Sequence, residues 1–61
     1  MQTVKTIKEY QLYINKVRET KISIKVKVEM TDKELEKGGK KLDMEGIEVI
    51  VGNGYDEIKP L

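Results

Sequence analysis

Few residues in this chain are equipped for covalent chemistry. Histidine and cysteine are absent and Ser23 is the single serine. Ser23 lies on the lysine-bearing side of an alternating stretch with no base beside it, so it is a solvent-facing hydroxyl and not an activated nucleophile. Carboxylate pairs such as Asp56-Glu57 could in principle do general acid–base work, yet the pattern exposes both and sets nothing apolar beside them to raise a pKa. Gly52-Asn53-Gly54 has the small residues of a phosphate loop. It lacks the Lys-Ser/Thr of a Walker loop and the third glycine that opens a dinucleotide-binding helix, because Tyr55-Asp56-Glu57 follows; a tight hairpin turn is the better reading. Asp43-Met44-Glu45 lacks the spacing of a calcium loop, and without His or Cys a structural zinc has no ligands. No catalytic, cofactor-binding or metal-binding residue is assigned, and the expectation is a protein that is not an enzyme and carries no cofactor.

Binding chemistry is better supplied. Tyr13, with Lys21, Lys25 and Lys27 around it, could stack a base and neutralise phosphates as a single-stranded nucleic-acid face. RNA-binding sheets usually offer two or three aromatics where this face offers one, and lysines on an exposed strand are an ordinary defence against edge pairing. The preferred reading is therefore a protein–protein surface, with Tyr13, Val17, Arg18, Ile50 and Tyr55 as partner-binding residues. Aromatic and arginine side chains are favoured where binding energy concentrates. Nucleic acid is the alternative.

The elements that must position these residues start from one stretch. Between Thr20 and Met30, Ile22, Ile24, Val26 and Val28 alternate with Lys21, Ser23, Lys25, Lys27 and Glu29, which predicts a half-buried strand. Tyr10, Leu12 and Ile14 alternate in the same way with Glu9, Gln11 and Tyr13, predicting a first strand over 8–14. Pairing Ile14 with Thr20, Leu12 with Ile22 and Tyr10 with Ile24 gives a hairpin with one oily face. Thr31 with Glu34 forms a capping box, and Met30 with Leu35 the accompanying hydrophobic staple. Lysines 37, 40 and 41 suit the other end of the helix. Leu35, Gly38, Gly39 and Leu42 fall at i, i+3, i+4 and i+7, so the helix is expected to run through both glycines to about Leu42 and to lie close on the sheet. Ile47–Val51 reads as a third strand and Tyr55–Lys59 as a short fourth, ended by Pro60.

The fold class predicted is α+β: one domain over 1–61, a two-layer ββαβ(β) arrangement with a three- to four-stranded sheet and one helix on one face. The first strand is expected between the second and third, in the order 2-1-3. The expected core is Tyr10, Leu12, Ile14, Ile22, Ile24, Val26, Val28, Leu35, Leu42, Ile47, Val49 and Val51.

A chain of 61 residues buries only about 60% of its unfolded surface. With no disulfide or zinc to help, the remaining remedy is a partner, and a homodimer is expected. Net charge is +1, but residues 1–42 hold 11 basic and 6 acidic residues (net +5) and residues 43–61 hold 1 and 5 (net −4). That asymmetry could orient a charged partner or a second copy. No apolar run approaches the ~20 residues of a membrane span, and the N-terminus lacks the apolar core of a signal peptide; a cytoplasmic protein that makes no membrane contact is expected.

Tyr10-x-Leu12-x-Ile14, then Arg18, then Ile22-x-Ile24-x-Val26-x-Val28, then Thr31 opening a charged helix, resembles small phage- and plasmid-borne proteins of the DpnD/PcfM-like type. The resemblance covers roughly residues 9–42, and this chain departs from it at Gly38 and Gly39, where members carry alanine on the helix stripe. It implies a mobile-element origin and an accessory role. No functional residues carry over. The leading expectation, beyond the resemblance, is a homodimer that binds a host protein such as a defence or replication factor, since binding alone suffices for stoichiometric inhibition by a tiny cofactor-free domain.

Overall fold

The computed structural model describes residues 2–48 and 54–61, with the backbone alone at 38–41. Its elements are β1 (Gln2–Val4), α1 (Ile7–Thr20), β2 (Ile24–Val28), α2 (Asp32–Lys41), β3 (Ile47–Glu48) and β4 (Gly54–Pro60). They make an α+β fold of two layers, with a four-stranded mixed sheet and its main helix on one face.

That main helix is α1, and it occupies the segment expected to be the first strand. Thr6 is extended, and its Oγ1 accepts from the Glu9 amide at 3.1 Å, satisfying one of the unpaired donors of the first turn. Ile7, Tyr10, Ile14 and Val17, spaced three, four and three apart, are all buried, the stripe an amphipathic helix presents to a core. Lys21 closes the helix in the left-handed conformation (φ 62°), its amide donating to Val17 O at 2.8 Å.

α1 touches β1, β3 and β4. Beneath it the core comprises Val4, Val26, Val28, Met30, Ile47 and Ile58 together with the four helix residues. β1 runs parallel to β2, β2 is antiparallel to β4, and β3 is antiparallel to β4, in the spatial order β1-β2-β4-β3.

The hairpin pairing 8–14 with 20–24 is therefore absent, and the expected order 2-1-3 gives way to one in which β2 lies between β1 and β4. Leu12 and Ile22, expected in the core, are 62% and 67% exposed. Leu12 is two residues from Tyr10 and from Ile14, which on a helix turns it away from their face; Ile22 lies in the connection before β2. Val4, Ile7, Val17, Met30 and Ile58 take their places inside. Tyr10, Ile14, Val26, Val28 and Ile47 are buried as expected, and Ile24, Leu35 and Leu42 pack partly against the core. Val49 and Val51 lie outside the described residues.

α2 does run through both glycines, from Asp32 to Lys41. It packs on α1, so the layer over the sheet is α1 and not, as expected, this helix. The capping box is half formed: Glu34 N donates to Thr31 Oγ1 at 3.3 Å, while the Glu34 carboxylate accepts from Ile7 N at 3.4 Å, at the start of α1. Of the expected staple pair, Met30 is buried in the core and Leu35 is half-buried against that core.

Candidate protein-interaction surface

Because α1 covers one face of the sheet, alternation sends every second strand residue to the other. The register sets Thr3 beside Lys27, Lys27 beside Tyr55, Lys25 beside Glu57, and Glu48 beside Lys59. Their inward neighbours Val4, Val26, Ile47 and Ile58 are buried, so these residues form the uncovered outer face. Tyr55 is its large apolar side chain among the described residues and is 70% exposed.

The Lys27 ammonium sits 5.7 Å from the centre of the Tyr55 ring, within reach of a cation–π attraction. The same ammonium pairs with Glu29 at 3.1 Å. The Glu29 hydrogen bond, with Tyr55 and Glu29 charge behind it, holds the Lys27 pKa above its ordinary value. Lys59 pairs with Glu57 at 3.4 Å. Each described lysine of this face thus has a glutamate beside or opposite it, and such exposed pairs contribute little to stability. A hollow of about 260 Å³ opens between Lys25, Tyr55, Asp56 and Glu57.

Asp56 corrects one expectation. It was expected to be exposed beside Glu57, but its register with Val26 turns it inward, where its Oδ2 accepts from the Tyr10 hydroxyl at 3.3 Å. Burial raises its carboxyl above the ordinary aspartate value, against the opposing hydrogen bond from Tyr10. Burial, then Asp56, pushes the Tyr10 phenol well above the usual tyrosine range. A half-buried carboxylate bonded to a buried tyrosine links β4 to α1 across the core.

The residues expected at the interface do not come together. Tyr13 is on α1, half-buried, and its hydroxyl donates to Gln2 Oε1 at 3.1 Å. Val17 is wholly buried under α1 and contributes to the core. Arg18 holds a loop: it donates to Glu45 O at 2.9 Å, Asp43 O at 2.7 Å and Asn15 Oδ1 at 3.0 Å. Its guanidinium also lies 3.5 Å from the Asp43 carboxylate. Ile50 lies outside the described residues. Of this set, Tyr55 is on the open face.

The alternative lysine face is likewise redistributed. Lys25 and Lys27 line the open face, Lys21 caps α1, and Tyr13 is on the opposite side of the sheet. Tyr55 takes the position beside the lysines that Tyr13 was expected to hold. Once the strand over 54–60 is set antiparallel to 24–28, the alternation of Tyr55, Glu57 and Lys59 with Asp56 and Ile58 signals this placement. Thr6 followed three residues later by Glu9 is a capping signature for α1 that period-two reasoning passes over.

Among the described residues no cluster of acidic side chains is arranged to hold a metal ion, and no helix is long and apolar enough to cross a membrane. No family model, curated protein or solved structure matches this chain.

Proposed function

We propose that this chain is a non-enzymatic protein-binding module that acts by occupying a partner's surface with the open face of its sheet. The observation that carries this reading is Tyr55. A largely exposed aromatic ring, steadied by Lys27 and set in rows of alternating lysine and glutamate, has the form of an anchor with a polar rim. The partner is a protein of mixed surface charge offering an apolar recess for the ring. A strand of nucleic acid is disfavoured, because Lys27 and Lys59 are already paired with carboxylates and phosphate binding needs unopposed cations. Binding alone is a sufficient activity for a domain of this size. The proposed partner is a host-cell protein bound stoichiometrically in the cytoplasm, as fits a small, cofactor-free, cysteine-free chain of mobile-element origin.

Two measurements test this. Wild type and Tyr55→Ala, immobilised side by side, should differ in what they retain: a protein held by the first and lost by the second, with at least a tenfold drop in affinity as for other aromatic anchors. Titration with labelled single-stranded DNA and RNA at low and high salt should show no salt-steep binding. Tight, salt-dependent retention of oligonucleotides, or a partner held equally by both proteins, overturns the reading.

A further inference from the structure

The helical layer carries a second surface, unrelated to Tyr55. Between α1 and α2 runs a groove of about 620 Å³ with Ile7 and Leu12 among its lining and Lys8, Lys37 and Glu34 beside them. Both lysines are exposed, as is Leu12. Next to the groove on the same side of α1 stands the loop 42–46. Gln11 belongs to both: it lines the groove and clasps Asp43, accepting from its amide at 2.6 Å and donating to its carbonyl at 3.2 Å.

This loop is held by a set of hydrogen bonds. Arg18 holds two of its carbonyls, Glu45 N donates to Asp43 Oδ1 at 3.2 Å, and Ile47 N donates to Met44 O at 2.9 Å across a turn with Gly46 at φ 75°. A positive φ at the third turn position suits glycine. Leu61 N, from the chain's last residue, ties to Gly46 O at 3.0 Å. Met44 stands on this frame, 39% exposed, between the exposed Asp43 and Glu45.

We propose that the groove receives the Met44 loop of a second copy of this chain, in a two-fold dimer in which each loop enters the other's groove. The charges match: the groove sets Lys8 and Lys37 against one carboxylate, Glu34, which the Ile7 amide already engages at 3.4 Å, so an apolar floor with a net positive rim meets an apolar tip flanked by Asp43 and Glu45. The arrangement is also self-complementary, because a two-fold contact requires both halves of the match on one face of the same molecule, and Gln11 sets them side by side. Because the loop is already held in shape, little ordering cost opposes its insertion. The dimer so formed joins the helical layers and leaves both Tyr55 faces outward.

Sedimentation velocity of the full chain over a concentration series tests the proposal, with circular dichroism confirming that each variant is folded. The wild type should shift from monomer to dimer as concentration rises. Lys8→Glu with Lys37→Glu, and separately Glu45→Lys, should each weaken dimerisation at least roughly tenfold, through like charges meeting across the two-fold. Mixing the two variants should restore a dimer, since the acidic loop of the first then meets the basic groove of the second. A wild type that stays monomeric, variants that dimerise as it does, or a mixture that fails to recover overturns the proposal. The oligonucleotide and Tyr55→Ala measurements read the sheet face alone, so either surface can fail without the other.

Discussion

Asp56 is drawn toward the helix because residues 54, 56 and 58 share one face of β4 and Ile58 must be inside. Its carboxyl holds a proton to higher pH in the native protein than in the unfolded chain. Between the two pKa values the native state binds more protons, so stability falls as pH rises through that window, from the ordinary aspartate value upward. Urea midpoints measured across the acid range should show that fall in the wild type and lose it in Asp56→Asn; parallel curves for the two proteins contradict the account. Tyr10 adds a second fall at alkaline pH, because its raised phenol pKa means the unfolded chain ionises first. Arg18 acts through geometry. Truncation to Ala removes the bonds to Asp43, Glu45 and Asn15 and should cost about 1–2 kcal/mol in chemical denaturation. Arg18→Lys should recover little, since one ammonium does not reproduce the planar fork that spans these acceptors.

At the scale of elements, α1 is the test of the fold. Leu12→Ala should change stability by no more than ~0.5 kcal/mol, whereas Ile14→Ala should cost about 2–5 kcal/mol; equal costs for the two would restore the hairpin. Lys21 occupies a left-handed position without being glycine, a conformation that disfavours side chains bearing a Cβ. Lys21→Gly should therefore raise stability by ~0.5–1 kcal/mol, read as a higher melting temperature. These elements were unequally legible. Alternation over 20–30 predicts a strand, and the structure forms one over the shorter 24–28, with 20–23 given to the end of α1 and the connection; the helix after the Thr31 cap is present from Asp32. The segment 8–14 satisfies two periods at once: Tyr10, Leu12 and Ile14 alternate, while Ile7, Tyr10, Ile14 and Val17 step by helical turns. The helical pattern spans more residues and begins at a Thr6–Glu9 cap, and the absence of Gly or Pro between 15 and 19 leaves a hairpin without a turn. The site inherits this error. With α1 a helix, Tyr13 and Val17 belong to the inner side, and the outer face is built instead from 25, 27, 55, 57 and 59. Tyr55 was legible as a candidate surface residue, and the structure leaves it exposed; its neighbours depended on a strand pairing between residues about thirty positions apart, which local pattern does not encode.

For the whole molecule, two layers give two different surfaces. The sheet presents a face of mixed charge with one tyrosine among the described residues, and the helices present a groove beside an acidic loop. Of the net negative charge of residues 43–61, Glu48 and Glu57 stand on the sheet face, while along α1 Lys8 and Lys37 lie on one side of Gln11 and Asp43 and Glu45 on the other, as two neighbouring patches. Self-association through them should weaken as salt is raised, because exposed charges more than a Debye length apart are screened. A dimer insensitive to ionic strength in sedimentation would point to a different contact. The sheet face is the functional end of the account. Its most direct test is a photo-crosslinking residue placed at position 55, with position 12 as the control, in chain exposed to candidate host extract. The account predicts an adduct with a different protein from position 55 and with a second copy of this chain from position 12. Adducts with nucleic acid from position 55, or none where position 12 reacts, would contradict it.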